Sequence, residues 1–324
     1  MVSDVLLAAV MQIASLFVIA CCIFLVSSLI AGSTFLAHRK YLSALHYRIK
    51  NKYLVLHALS AVCASIVVTV WLSLPNSQRL PFVFKHCHSS NCATHIPAII
   101  DSTLLNLLFA FFVIGMVTVC FILIKAHQNK LEQRINSLLR LSHNKYLDNN
   151  YRLQASIISV SQPVLLNVGM LTPKLLLSSQ IAEFLDVKDV KLLLAYEYAK
   201  AKQFENFKVK LVQIACLFWP ASVRRLIITD LLAVLRDRAF NEVHQLFGGQ
   251  KTTIPKTILN EMSKDIQEFL LKIERNTDHL PQSADVIVGD ANLTATAYLA
   301  SFSYFLLLVV VTSNFTHFLF ELIG

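Results

Sequence analysis

The sequence predicts a mainly α, polytopic α-helical membrane protein with four transmembrane helices and a cytoplasmic α+β domain. Three observations predict it. Of 324 residues, 55% are hydrophobic and 15% charged, whereas soluble domains carry about a quarter charged residues. Residues 5–37, 53–75, 102–124 and 291–320 contain no Asp, Glu, Lys or Arg, and each exceeds the ~20 residues that a helix needs to cross the hydrocarbon. The surplus of 29 Lys+Arg over 20 Asp+Glu, net +9, is that of cytoplasmic loops and anionic lipid rather than of nucleic-acid binding. With 7 Cys in the whole chain, a disulfide scaffold is excluded.

The spans divide the chain. Residues 1–126 hold three transmembrane helices, residues 127–290 a cytoplasmic domain, and residues 291–324 the fourth helix with a short tail. No basic residue precedes the first apolar run, which is also too long for the core of a cleaved signal peptide. The loop after the first span carries Arg39, Lys40, Arg48, Lys50 and Lys52 without an acid, and that after the second has only Arg79 and Lys85. The positive-inside rule puts the first loop in the cytoplasm and the second, about 76–97, outside. Both termini are then extracytoplasmic, and the expected location is the bacterial inner membrane, with the bilayer as first partner.

Within the cytoplasmic segment, residues 129–146 have a basic helical pattern that would continue the third span. Residues 155–160 and 174–177 read as short strands around Pro163, Gly169 and Pro173. Asp186 is placed to N-cap a helix over 187–212, with Asp189 near the positive end of its dipole. Glu197 falls on the apolar sector of that helix, and a lone buried carboxylate is costly. Residues 211–223 are uncharged but too short for a span and carry Pro220, so a buried or interfacial helix is expected. Arg224, Arg225, Arg236 and Arg238 suit helices against anionic headgroups. Ile258, Met262, Ile266, Phe269, Leu270 and Ile273 mark an amphipathic helix over 252–290 that leads to the last span. Gly248-Gly249 reads as a turn without P-loop spacing.

The run 162–178, with Pro163, Gly169, Pro173-Lys174 and Ser178, resembles the segment preceding the catalytic helix of BlaR/MecR-type membrane metallopeptidases (peptidase family fifty-six). In that family the segment is followed by H-E-x-x-H on a helix, where this chain has Tyr196-Glu197-Tyr198-Ala199-Lys200. Glu205-Asn206 stands at the family's acidic pair, Phe218-Trp219-Pro220 resembles its aromatic–proline break, and the run from Asp237 to Asn241 its last motif. The order of three spans, protease segment and fourth span is similar too. The resemblance implies a zincin-like cytoplasmic domain, with a winged-helix repressor or other regulatory protein as a partner and no direct nucleic-acid binding.

The departures alter what is expected. Two histidines at i and i+4 hold Zn²⁺ while the glutamate activates water. Here the histidine positions are Tyr196 and Lys200, and an ammonium has no lone pair to give. Glu197, the general base, is kept, and Asp237 takes the third-ligand position. The expected function is therefore an inactive pseudopeptidase in transmembrane signalling or regulatory scaffolding, with no cofactor at this site. The alternative is an active zinc endopeptidase with atypical ligands. Glu197 and Lys200 share a face at i and i+3, so Lys200 is expected to replace the metal among Glu197 and Asp237 or else to reach solvent.

The extracytoplasmic loop offers another class of function. His86, Cys87, His88, Cys92 and His95 lie within ten residues. Cys87 and Cys92 could form a disulfide, as the compartment favours. The other reading is a metal or redox sensor in which Cys87, His88, Cys92 and His95 bind copper or zinc. His57 and His317 lie near span ends, and an interfacial role is expected for both.

Overall fold

The computed structural model of the protein describes residues 2–42, 45–73, 142–148, 153–160, 162–169, 173–247, 262–276 and 301–315, with single helical positions between 115 and 137 and at 260 and 299. The loop carrying Cys87, His88, Cys92 and His95, most of the third expected span, the Gly248-Gly249 turn and His317 lie outside the described residues. What is described is mostly helical, with one small sheet.

Helices α1 (Val2–Leu42) and α2 (Tyr47–Ser73) form an antiparallel hairpin. Contacts run in opposite directions along the two chains: Tyr53 with His38 at 3.3 Å, His57 Nε2 with Ala31 O at 3.0 Å, and Ser65 Oγ with Ala20 O at 2.8 Å. Fully buried Ala31, Ala58, Ala61 and Ala64 keep side-chain bulk out of the seam, so the helices approach closely. Ile19–Leu42 and Tyr47–Val70, 24 residues each, are long and apolar enough to cross a membrane. Leu29, Ile66 and Val70 face outward from them, as lipid-facing side chains would. His57 is buried in the bundle rather than interfacial, because the carbonyl of Ala31 and the rings of Tyr53 and Trp219 surround it. Of the fourth expected span, the described part is an apolar helix, Ser301–Phe315. Its Tyr304 hydroxyl lies 2.9 Å from Thr34 Oγ1 on α1.

The sheet has the order β1-β2-β4-β3. Strands β1 (Ser142–Asp148) and β2 (Leu153–Ile158) pair antiparallel, β2 and β4 (Lys174–Ser178) parallel, and β3 (Leu165–Val168) and β4 antiparallel. The two strands expected from sequence are therefore the central ones. The helix expected over 129–146 ends earlier, because Ser142–Asp148 pairs with β2 instead. Backbone hydrogen bonds to a neighbouring strand outweigh a weak local helical pattern. Ser178 ends β4 and caps α3 (Ser179–Phe184), accepting from the amide of Ile181.

Helix α4 (Val187–Lys202) starts after Asp186 as expected, but the Asp186 side chain makes no capping bond. It also stops ten residues early. Phe204 adopts a left-handed backbone, φ 53°, and α5 (Glu205–Ala215) sets off in a new direction. After a turn holding Trp219 and Pro220, α6 (Ala221–Phe247) runs on for 27 residues. Residues 211–223 are thus a helix end, a turn and a helix start, and Pro220 fits because a helix entry needs no amide there. Helix α7 (Lys264–Asn276) buries Ile266, Phe269, Leu270 and Ile273, the later part of the expected amphipathic stripe, whereas Met262 lies at a bend before the helix starts.

Three apolar cores result among the described residues: a small one that joins α1 and α2 to the Ser301–Phe315 helix through Ile19, Ile23, Ala64, Val68, Leu308 and Val309, and two larger ones. One packs the sheet against α4, α6 and α7 through Leu177, Leu193, Tyr196, Phe240 and Phe269. The other packs α5 and α6 onto the α1–α2 hairpin through Phe35, Leu54, Ala58, Trp219, Ile227 and Leu231. Helix α6 belongs to both of these larger cores, so it joins the α1–α2 hairpin to the domain as one continuous rod.

Candidate functional site

The site grows from one face of α4. Glu197 and Lys200, three residues apart, point the same way, and Lys200 Nζ donates to Glu197 Oε1 at 2.9 Å. Asp265, in the first turn of α7 where a carboxylate suits the helix dipole, accepts from the same ammonium at 2.6 Å. Glu205 Oε2 lies 3.8 Å from it. Phe204 makes this third approach possible: its left-handed turn reverses the chain after α4 and brings Glu205 back over Lys200. A bulky residue with positive φ costs about 1–3 kcal/mol, offset here by hydrogen bonds from Phe204 N to Ala201 O and from Lys208 N to Phe204 O.

Tyr196 and Arg236 complete the cluster. The Tyr196 hydroxyl donates to Asp265 Oδ1 at 3.2 Å, and its ring stacks on Phe269 with centroids 3.9 Å apart. Arg236, on α6, puts Nε 2.5 Å from Asp265 Oδ1, and its other arm lies 3.5 Å from Glu268. Arg236 therefore turns inward, correcting the expectation that it would face headgroups. Asn206 anchors α5 to the sheet by donating to the carbonyls of Asn167 and Gly169 at 3.1 and 2.9 Å. A small pocket opens beside the cluster, walled by Tyr196, Arg236, Asp265 and Phe269.

Asp237 is not part of this site. It accepts from Lys272 at 2.6 Å, and both side chains are half exposed. On α6 Asp237 lies one position past Arg236, a step of about 100° around the helix, which turns it off the face that Arg236 presents to Asp265. The acid that meets Lys200 from a distant element is Asp265.

Electrostatics follow from burial. Glu197, Lys200 and Glu205 are each less than a tenth exposed. Burial works to lower the Lys200 pKa, but Glu197, Glu205 and Asp265 together outweigh it, and the net shift is upward. Lys200 is firmly an ammonium. Burial raises the Tyr196 phenol, helped by the charges of Asp265 and Glu197, so it stays a neutral donor. Burial also raises Glu197, against the pull of Lys200. Glu205 is pushed up to about 7, first by burial and then by Glu197 and Asp265, with Lys200 opposing. The cluster has two cations, Lys200 and Arg236, facing three acids, and a proton on Glu205 balances it.

That proton has a measurable sign. A carboxyl whose folded pKa is raised contributes stability below its ordinary pKa of 4.5, lost as pH rises through about 7. The loss from Glu205 is on the order of 3 kcal/mol. In the detergent-solubilised protein, denaturation between pH 5 and pH 8 should show Glu205→Gln gaining on wild type by this amount as pH rises. An unchanged difference between the two proteins across that window would show that Glu205 titrates normally.

The implied zinc does not fit these residues. The two histidine positions hold a phenol that donates to Asp265 and an ammonium bonded to Glu197 and Asp265. Lys200 Nζ fills the space between the Glu197 and Asp265 carboxylates where a metal would have to sit, and its charge repels a cation. Sequence reasoning had the Glu197–Lys200 pair and named Glu205, but missed Asp265 and Arg236. The acid in the first turn of the amphipathic helix was the one available signal for Asp265. Comparison of the chain with protein-family models, with curated proteins and with solved structures returned no match in any of the three.

Proposed function

We propose that the chain is an inner-membrane protein of BlaR/MecR-type architecture in which an ion-pair cluster replaces the catalytic metal, and that it acts in signal transduction or as a regulatory scaffold rather than as a peptidase. The observation that carries this reading is the Lys200 ammonium, held among Glu197, Asp265 and Glu205. Glu197 as general base would need a free carboxylate facing water and a substrate carbonyl. Here it is bonded to Lys200 and closed off.

A mechanical argument supports transduction. Helix α6 touches the spans and the cluster at different points of one rod. Arg39 on α1 forks onto Asp230 through bonds of 2.8 and 3.0 Å, and six residues further on Arg236 engages Asp265. A shift of the span hairpin would therefore be felt at the cluster through a stiff helical segment that carries a discrete ion pair at Asp230 and another at Arg236. A cleft between the α1–α2 turn and α6, walled by Tyr47, Lys50, Val234 and Lys272, leaves room for such movement. The domain lies beside the α1–α2 turn, the side that Arg39, Lys40, Arg48, Lys50 and Lys52 mark as cytoplasmic. A regulatory protein, such as a winged-helix repressor, would dock there.

Metal content of the purified, detergent-solubilised protein tests the proposal, measured beside the Cys87→Ser, Cys92→Ser double variant. No metal at the domain site is expected in either protein. Zinc near one per chain that persists in the double variant, with cleavage abolished by Glu197→Gln, would overturn the proposal in favour of an enzyme. Metal lost with the cysteines would leave the pseudopeptidase reading standing and place a sensor in the loop.

A further inference from the structure

We propose that the α5–α6 hairpin is a membrane-immersed re-entrant element whose tip, Leu217 to Pro220, lies in the acyl-chain region beside α1 and α2, which fixes the Lys200 cluster within about 10 Å of the cytoplasmic surface. The inference rests on the reading that α1 and α2 span the bilayer.

Depth comes from the contacts along α1. Arg39, the first charge after the apolar run, sets the level of the headgroups, and its partner Asp230 puts α6 at the same level there. From Asp230 the helix runs back toward its start along α1. A Cβ on Gly32 would lie 3.5 Å from both Trp219 and Pro220, and Gly32 is about 10 Å of helix from Arg39. The Phe218 ring meets Phe24 edge-on, centroids 5.5 Å apart, and Phe24 is about 22 Å of helix from Arg39. Half the hydrocarbon is ~15 Å thick. The tip thus lies near the bilayer midplane.

The hairpin is built for that place. Residues 211–223 contain no charge and are bounded by Lys210 and Arg224. The large side chains turned away from the protein near the tip are apolar, Ile214 46% exposed, Leu217 48% and Phe218 44%, with Gln213 and Ser222 the exposed polar residues flanking them. In water this patch would be a liability, whereas acyl chains accept it without cost. Immersed backbone has to be satisfied internally, and part of the turn is paired this way, with bonds from Cys216 to Val212, Leu217 to Ile214 and Trp219 to Cys216. Arg224, a charge that is costly at this depth, pairs there with the carbonyl of Leu217. Exposed Arg225 stands about 8 Å from the level of Asp230, within reach of the headgroups by snorkelling.

On the other side of Asp230, Arg236 lies six residues on, about 9 Å, and carries the cluster with it. A protein that engages the cluster must therefore do so at the membrane surface.

Photo-crosslinking tests this in the full-length protein in native membrane vesicles. A benzophenone-bearing phenylalanine analogue replaces Phe218, Ile66 or Leu246 in turn, and phospholipid adducts are read by mass spectrometry. Ile66 faces outward on α2, and Leu246, 65% exposed, stands about 24 Å beyond Asp230 on the cytoplasmic side. Adducts at Phe218 comparable to those at Ile66, and about tenfold above Leu246, are expected for a group inside the hydrocarbon. Adducts at Ile66 without any at Phe218 would overturn the re-entrant hairpin and leave the spans intact. Adducts at neither would remove the spanning reading and the hairpin with it. Equal labelling at Leu246 and Phe218 would refute the depth assignment.

Discussion

Lys200→Met should lower the stability of the protein by about 3–5 kcal/mol, the usual consequence of removing one partner from a buried ion-pair network. Lys200 is 8% exposed and is the cation shared by Glu197, Asp265 and Glu205. Without it Arg236 alone faces three acids. The variant would recover on acidification, because protonating the surplus carboxylates removes the unpaired charge. Glu197→Gln added to Lys200→Met should restore part of the loss, whereas Asp237→Asn should restore none, since Asp237 bonds to Lys272 at the surface. Thermal denaturation at pH 5 and pH 8 would check both signs. A Lys200→Met midpoint equal to wild type at both pH values would mean that the ammonium is not what holds the cluster.

Introducing two histidines at positions 196 and 200 should create a metal site. Tyr196→His with Lys200→His recreates H-E-x-x-H, two imidazoles at i and i+4 on one helix face. Asp265 already touches both native side chains there, at 3.2 and 2.6 Å, so it is placed to serve as the third ligand. In the Cys87→Ser, Cys92→Ser background the variant is expected to take up about one zinc per chain, and Asp265→Asn should abolish the uptake. Without zinc uptake by a folded variant, the resemblance at residues 196–200 would lose its chemical meaning, and the cluster would be an ordinary structural ion pair.

Legibility in the sequence followed the range of each interaction. The α1 and α2 spans appear as uncharged runs because transfer into hydrocarbon is a property of each segment by itself. The strands expected at 155–160 and 174–177 show in their apolar content, but β1 does not: Ser142–Asp148 becomes a strand only because β2 offers it a ladder. The break after Lys202 had no local mark, since Phe204 is not a residue that ordinarily takes positive φ. Residues 211–223 gave the right chemistry and the wrong shape. Their apolar, uncharged character was plain, whereas their folding into a turn against Gly32 and Phe24 depends on the groove that α1 and α2 make together.

By itself the sequence determined that the chain carries membrane-length apolar helices, that α4 begins at Val187, and that Glu197 and Lys200 share one face of it. Each follows from composition or from spacings of a few residues. Tertiary structure alone decided that Asp265 rather than Asp237 closes the cluster, that Glu205 returns to share Lys200, and that Arg236 turns inward from α6. The closing bond joins residues 65 positions apart. Its partner is selected by how α4, α6 and α7 pack around Tyr196, Phe240 and Phe269, and helix periodicity holds no information on which of several nearby acids that packing brings within 3 Å of an ammonium.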